Sequence, residues 1–294
     1  MPGKQVTELD ALPSFTDNSL LPVHNGAGLK KGLLSQLANY LGTKFSNPNL
    51  LINPDFKINQ RGATSYEQQG YSIDRWKIRN VTVTPSTSGG ITVKNDKYTD
   101  TGTFIQILEN ATEGDSTLSC YVTSVTGTVT MFADDNTQVV LKQGLNVVHT
   151  SNSTKNFSIF LNMGTSITLK WVKLEQGKVA TSFIAPNPAE ELEKCLRFSR
   201  YIPTIYCVPL RRYIGDISNA RAYYLPLGCV FETKLRAKGT ISLKGGVFDS
   251  TSSSLGGIKE IDYSQDEIRQ VIMPQEMTPW TLILKKVFID AEIY

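Results

Sequence analysis

The sequence predicts a mainly β protein: a short amino-terminal segment with a helix, an antiparallel jelly-roll sandwich, a linking helix and a smaller carboxy-terminal β-sandwich. Alternation of apolar and polar residues predicts strands with one buried face. It runs through Leu118-Cys120-Val122, Phe157-Ile159-Leu161-Met163 and Ile167-Leu169-Trp171, with Val172 and Leu174 on the opposite face. Turn-forming clusters, such as residues 86–90 and 134–136, separate these runs at the spacing of a sandwich of short strands.

Differences in composition divide the chain into three segments, residues 1–45, 46–186 and 187–294. In the first segment, residues 29–41 are predicted to form one amphipathic helix. Leu33, Leu37 and Leu41 lie in one stripe of that helix, with Leu34 beside it. A segment this short cannot bury a core alone. The leucines are therefore candidate contacts to another copy of the chain, a neighbouring protein or the next domain.

The third segment begins with a predicted helix whose terminal signals agree. Asn187 can cap it, Pro188 fits the first helical position, and Glu190 stands where a capping box places an acid. Acidic residues fill the first turns and basic residues the last, as the helix dipole favours. The inward stripe is predicted to hold Leu192, Cys195, Leu196 and Ser199. Strand-like alternation returns after residue 201.

Composition limits the classes of partner. The 294 residues carry 30 Lys and Arg against 27 Asp and Glu, a net charge of +3, whereas nucleic-acid binding normally needs a strongly basic face. No apolar run approaches the roughly 18 residues of a membrane helix, and no signal-peptide pattern follows Met1. We therefore expect folding in a cytosol, with no membrane insertion and no nucleic-acid partner.

Metal and catalytic chemistry find little support. The four cysteines are far apart and only His24 and His149 could join them, so buried free thiols, no metal and no cofactor are expected. The sequence has no nucleophile-elbow or phosphate-loop motif. Carboxylate pairs that could cleave a glycan are Asp134 with Asp135, Glu109 with Glu113, and Asp262 with Asp266 or Glu267. Aromatic sugar subsites do not flank them, so a protein without enzyme activity is predicted.

Aromatic residues favour binding instead, because their faces stack on sugar rings. Tyr66, Tyr71 and Trp76 form one concentration, in which Trp76 is expected in the core. A second concentration surrounds residues 209–220, which the sequence predicts to be an exposed loop, and recognition usually lies on such loops. Its candidate ligand-binding residues are Tyr206, Arg211, Arg212, Tyr213, Asn219, Arg221 and Tyr223.

Several short stretches carry a resemblance to a known family. They are 49–56 (Asn-Leu-Leu-Ile-Asn-Pro-Asp-Phe), 60–62 (Gln-Arg-Gly) and 71–76 (Tyr-Ser-Ile-Asp-Arg-Trp). Together they resemble the opening of a jelly-roll domain of tailed-bacteriophage tail-fibre and receptor-binding proteins. Residues 172–177 and 180–183 resemble the close of that domain, and residues 190–198 the helix after it. Parts of residues 1–45 resemble the particle-attachment region.

The resemblance implies a homotrimer in a virion, synthesised in the host bacterial cytoplasm. The amino-terminal segment would attach to other virion proteins, and the carboxy-terminal domain, at the distal tip, would meet a host surface glycan or protein. Two alternatives stay open: a purely structural virion protein, such as a head fibre or baseplate component, and a glycan-degrading enzyme. A carbohydrate-binding module of a secreted enzyme is disfavoured, because neither a signal peptide nor a catalytic domain is evident.

Overall fold

Antiparallel sheets dominate the structure. The computed structural model describes residues 19–24, 29–42, 46–67, 69–87, 89–133, 137–209, 220–230, 235, 240–243, 247–249, 254–255, 260–263, 267–274 and 282–291. The prediction of a mainly β, antiparallel fold is confirmed. Within these ranges, no helix combines the length and the apolar character that crossing a membrane requires.

The amino-terminal segment forms a hairpin followed by a helix. Strands β1 (Leu20–His24) and β2 (Leu29–Leu33) pair antiparallel, and helix α1 spans Leu34–Gly42. The predicted helix over residues 29–41 is therefore wrong in its first five residues. Pairing with β1 satisfies the backbone groups of β2, and it prevails over the helical spacing of the leucines. The Gln36 side chain accepts a hydrogen bond from the Leu33 N–H at 2.9 Å, which marks the start of the helix.

A sandwich of two antiparallel sheets forms the middle of the chain. In chain order its strands are β3 (Gly70–Tyr71), β4 (Lys77–Arg79), β5 (Thr82–Pro85), β6 (Ile91–Asn95), β7 (Gly102–Ile107), β8 (Ser116–Thr126), β9 (Val129–Phe132), β10 (Gln138–Val140), β11 (Gly144–Thr150), β12 (Asn156–Leu161) and β13 (Thr165–Gln176). One sheet has the order β10-β9-β12-β7-β4-β3, and the other has the order β11-β8-β13-β6-β5. Its assignment to the jelly-roll type stays a prediction.

One apolar core fills the space between the two sheets. Trp76 lies at its centre, fully buried, as the sequence predicted. Its ring stacks on Phe104 at 4.6 Å and meets Phe157 edge-on at 5.8 Å. The indole N–H donates to the Asn53 carbonyl at 3.0 Å, so the only polar atom of the side chain is satisfied.

A buried ion pair closes one end of the sandwich, on the outer face of the five-stranded sheet. The Lys173 ammonium lies 3.1 Å from the Glu175 carboxylate, and both side chains have no exposed surface. Lys173 also donates to Ser46 Oγ at 3.2 Å and to Thr181 Oγ1 at 2.6 Å. Glu175 accepts from the Thr181 N–H at 2.9 Å. The segments that enter and leave the sandwich thus cover this pair together.

Helix α2 (Pro188–Leu196) follows the sandwich and begins where the sequence predicts. Asn187 caps it by accepting from the Ala189 N–H at 3.0 Å. The predicted inward stripe is partly wrong, because Leu192 is exposed and Glu191 is buried beside Cys195. Glu191 is buried because its carboxylate accepts the Asn53 N–H at 2.5 Å. Ser199 is buried as predicted, but on a strand.

The described residues of the carboxy-terminal region form eight strands: β14 (Ser199–Pro209), β15 (Ala220–Val230), β16 (Thr240–Leu243), β17 (Val247–Asp249), β18 (Ser254–Leu255), β19 (Glu260–Tyr263), β20 (Glu267–Pro274) and β21 (Leu282–Asp290). They are hydrogen-bonded into one antiparallel sheet, with the path β18-β17-β21-β14-β15-β20-β19 and β16 paired to β21. The β content of this region is as predicted, and its arrangement as a smaller sandwich stays a prediction.

Candidate functional site

A polar cluster in which Asp74 and Ser199 are fully buried joins the sandwich to β14 and β21 of the carboxy-terminal sheet. We call Gln60, Arg61, Asp74, Ser199 and Asp290 the junction network. The Asp74 carboxylate accepts from the Gln60 N–H at 2.7 Å, from Gln60 Nε2 at 2.6 Å and from Ser199 Oγ at 2.9 Å. Gln60 Nε2 also donates to the Ser199 carbonyl at 2.9 Å. The side chain of Gln60 therefore binds both parts of the molecule at once.

Arginine side chains extend this junction on two sides. Arg61 pairs with Asp290 on β21 at 3.0 Å, and its guanidinium lies 5.0 Å from the ring centroid of Phe288. Arg75 lies 3.7 Å from the ring centroid of Phe198 and donates to a sandwich carbonyl. Cations over aromatic rings in desolvated places contribute favourable electrostatics. The junction is therefore stabilised by charge as well as by hydrogen bonds.

Burial dominates the ionisation of Asp74. Desolvation raises the pKa of its carboxyl above the ordinary value of 3.8, and it outweighs the lowering effects of Arg61, Gln60 and Ser199. Through Gln60 and Ser199, this buried carboxylate links the sandwich to β14.

The outer face of the five-stranded sheet presents a different kind of surface. Tyr121 on β8 stands in register with Leu145 on β11 and with Trp171 on β13. Leu145 is 60% exposed and Tyr121 is 39% exposed. Phe183, from the segment after the sandwich, stacks on Trp171 with ring centroids 4.6 Å apart and planes 2° from parallel. We call Tyr121, Leu145, Trp171 and Phe183 the aromatic surface.

A pair of β-bulges places Trp171 on this outer face. Leu169 pairs with Val122, and Trp171 pairs with Tyr121, so Lys170 is an extra residue in β13. Without it, Trp171 would continue the inward alternation of Ile167 and Leu169. One extra residue moves the next side chain to the opposite face of a sheet. The expectation that Trp171 shares the inward face is therefore wrong, and so is the placement of Val172 and Leu174 on the opposite face, because both are buried in the core with Ile167 and Leu169.

Gly90 fits against the bulge because it has no side chain. A Cβ atom there would lie 2.8 Å from the Leu169 carbonyl oxygen, and the backbone of Gly90 has a φ of +87°. Any other residue at this position would be destabilising, because of both the close approach and the positive φ. Gly90 therefore allows the bulge that places Trp171 on the outer face.

The predicted ligand-binding residues fall mostly beyond the described ranges. Arg211, Arg212, Tyr213 and Asn219 lie outside them. The backbone positions of the other three are on adjacent strands: Tyr206 on β14 opposite Ile283, Arg221 on β15 opposite Met273, and Tyr223 on β15 opposite Pro209 and Val271. The β14–β15 pairing brings the two ends of the predicted loop together. The ligand-binding role of these residues stays a prediction.

The predicted attachment leucines occupy two elements. Leu33 ends β2 and Leu34 begins α1, and both are half-buried. Leu37 and Leu41 are 41% and 42% exposed, one helical turn apart on α1. These two therefore present an apolar edge to the surroundings. Their role in attachment or oligomerisation stays a prediction.

The carboxylates considered for catalysis are partly brought together. Glu109 and Glu113 both line a cleft of about 590 Å³ at one end of the sandwich. The Glu109 carboxylate pairs with Arg197 at 3.1 Å, so it is engaged in an ion pair next to α2. Asp134, Asp135 and Asp266 lie outside the described residues, while Asp262 and Glu267 lie on β19 and β20.

The two cysteines whose side chains the structure describes are buried, as the sequence predicts. His149 is exposed on β11, with Nδ1 2.8 Å from Thr117 Oγ1. Cys120 and Cys195 are buried free thiols, and burial raises the pKa of Cys120 to about 12. Among the described residues, no group of three or more His, Cys, Asp or Glu side chains could hold a metal ion.

Comparison with known proteins identifies no family for this chain. No family model matches it, and no curated protein matches it. Similar solved structures include PfGH50B, with 9% identity over 60% of this chain and 38% of that one, and the agarase AgWH50C, with 7% identity over 72% and 48%. This chain thus spans less than half the length of either. Both TM-scores are 0.25, which is too low to establish a common fold.

Proposed function

We propose that this chain is a fibre or receptor-binding protein of a bacteriophage virion, which attaches through its amino-terminal segment and binds the surface of a host cell. The observation that carries the proposal is the aromatic surface. Exposed apolar patches on a folded scaffold mark places where another molecule binds. Tyr121 and Leu145 are held there by strand register, so the surface is formed before any ligand arrives.

The resemblance of residues 49–76 to fibre proteins supports the virion assignment. We further propose that the protein is a homotrimer and acts by binding alone, without catalysis. Three copies would strengthen weak surface contacts, because the second and third contacts form within one bound particle. The exposed edge of Leu37 and Leu41 is consistent with a contact at the attachment end.

A second candidate is a purely structural virion protein, and the junction network favours it. The residues that carry the family resemblance include Gln60, Arg61 and Asp74, which hold two regions in a fixed relation. A fixed arrangement of these two regions is a structural requirement, and a spacer protein would need it as much as an adhesin.

Two measurements on the full chain test the proposal. Light scattering of the purified protein should give the mass of a trimer. The fluorescently labelled protein should decorate the cells of one bacterial host in a panel and leave the others dark. A trimer that decorates no cell would support the structural candidate, and a monomer would contradict the proposed assembly.

A further inference from the structure

A row of hydroxyl groups runs beside the aromatic surface on the same outer face. Thr84, Thr92, Thr168 and Ser124 are in register across β5, β6, β13 and β8. Thr92 Oγ1 and Thr168 Oγ1 lie 3.1 Å apart. Thr168 is three residues from Trp171, a distance of about 10 Å or less along a strand. An apolar surface therefore adjoins a row of groups that both donate and accept hydrogen bonds.

The charges on this face have one sign. The exposed charged side chains on the five strands of this sheet are Lys94 and Lys170, both outward. The Lys170 ammonium stands 5.9 Å from the ring centroid of Tyr121. The single acid on these strands is Glu175, which is buried and neutralised by Lys173. The face therefore attracts anions, because its positive charges are exposed and its negative charge is covered.

We propose that the outer face of the five-stranded sheet binds an acidic polysaccharide of the host envelope, one that carries carboxylate groups. This inference rests on the proposed function and names its ligand. Sugar faces stack on Tyr121 and Phe183, sugar hydroxyls exchange hydrogen bonds with Thr92 and Thr168, and Lys170 pairs with a carboxylate. Aromatic faces, hydroxyls and exposed cations together match a charged sugar chain, whereas a protein interface would favour a dry apolar centre with few lysines.

The experiment measures binding of the full chain to two soluble polymers by titration calorimetry. Polygalacturonate is the acidic probe, and dextran is the neutral comparison. The variants are Tyr121→Ala and Lys170→Gln. Their matched controls are Phe132→Ala, from the half-buried aromatic pair with Phe160 on the other sheet, and Lys77→Gln, from β4 of that sheet.

We expect polygalacturonate to bind and dextran to bind at least ten-fold more weakly. Tyr121→Ala should weaken binding at least ten-fold and Lys170→Gln several-fold, while both controls bind like the unmodified protein. Raising the salt concentration should weaken binding to the unmodified protein more than to Lys170→Gln. Equal binding of both polymers, or binding that Tyr121→Ala leaves unchanged, would overturn the inference.

Cell binding separates this inference from the proposed function. If the protein decorates cells, but polygalacturonate does not compete and Tyr121→Ala decorates equally well, then the function holds and the saccharide site is wrong. If polygalacturonate binds as expected but no cell is decorated, the site holds and host attachment is wrong. Self-association that Tyr121→Ala abolishes, without any polymer binding, would make this face an interface between copies and overturn the inference.

Discussion

The outer face of the five-stranded sheet contains two adjacent regions of opposite character. At its covered end, near the end of β13, Lys173 and Glu175 form an ion pair and yet have no exposed surface. Two residues before Lys173, Trp171 pairs with Tyr121, and there Tyr121 and Leu145 are substantially exposed. The difference arises because Ser46, Thr181 and Ser182 bring hydrogen-bonding groups over the ion pair. Burial on this face thus follows what lies over each residue, and the polarity of the residue itself does not predict it.

The largest expected effect is at the covered end. Lys173→Ala should lower the free energy of unfolding by about 3–5 kcal/mol, because it leaves the Glu175 carboxylate buried without its counter-ion. Chemical denaturation checks this. The control is Lys97→Ala, which removes a solvent-exposed pair with Glu67 and should change stability little. Equal small losses in both variants would mean that the covered end is open to water in solution.

An intermediate effect, dependent on pH, is expected at the junction network. The folded-state pKa of Asp74 is raised above 3.8, so its favourable contribution is fully present below 3.8 and is lost as pH rises through the folded pKa. The stability of the protein relative to Asp74→Asn should therefore fall as pH rises through that range. Denaturation of both proteins across a pH series checks it. A constant difference would contradict the prediction.

Ser199→Ala sharpens the same test. The Ser199 hydroxyl favours the charged carboxylate and so lowers the pKa of Asp74. Without that hydroxyl, the pH range over which the stability falls should extend to higher pH. A range that moves to lower pH would show that another group controls the titration.

The smallest expected effect on stability is in the exposed region beside the covered end. Tyr121→Ala should change the free energy of unfolding by less than about 1 kcal/mol, because only half-exposed cross-strand contacts are lost. Leu118→Ala, on the inward face of the same strand, should cost about 2–5 kcal/mol. Denaturation of the two variants side by side checks this. A comparable loss in both would mean that Tyr121 is covered in solution.

Local signals in the sequence predicted much of the fold. The prediction that Leu118, Cys120 and Val122 share a buried face was correct, because the alternation of apolar residues lies within the strand itself. The cap at Asn187 was correct for a similar reason, since capping involves residues only two positions apart. In the amino-terminal segment, pairing between β1 and β2 overrode the helical spacing of residues 29–33.

The candidate site was harder to predict, because it depends on contacts distant in sequence. Trp171 faces outward through a bulge whose fit requires Gly90, and strict alternation assigned it to the core. Lys173 and Ser46, which meet in the covered end, are 127 positions apart. Glu191 is buried because it reaches the backbone of Asn53, 138 positions away. No pattern within a single strand or helix contains such information.

The contact between the two segments that border the sandwich has a consequence for how such chains evolve. The Asn47 N–H donates to Thr181 Oγ1 at 2.9 Å, so the points where the chain enters and leaves the sandwich are side by side. A domain with adjacent ends behaves as a cassette, which can be inserted, deleted or exchanged while the connection between its neighbours keeps nearly the same length. Recombination could therefore exchange the outer faces of both sandwich sheets in a single step.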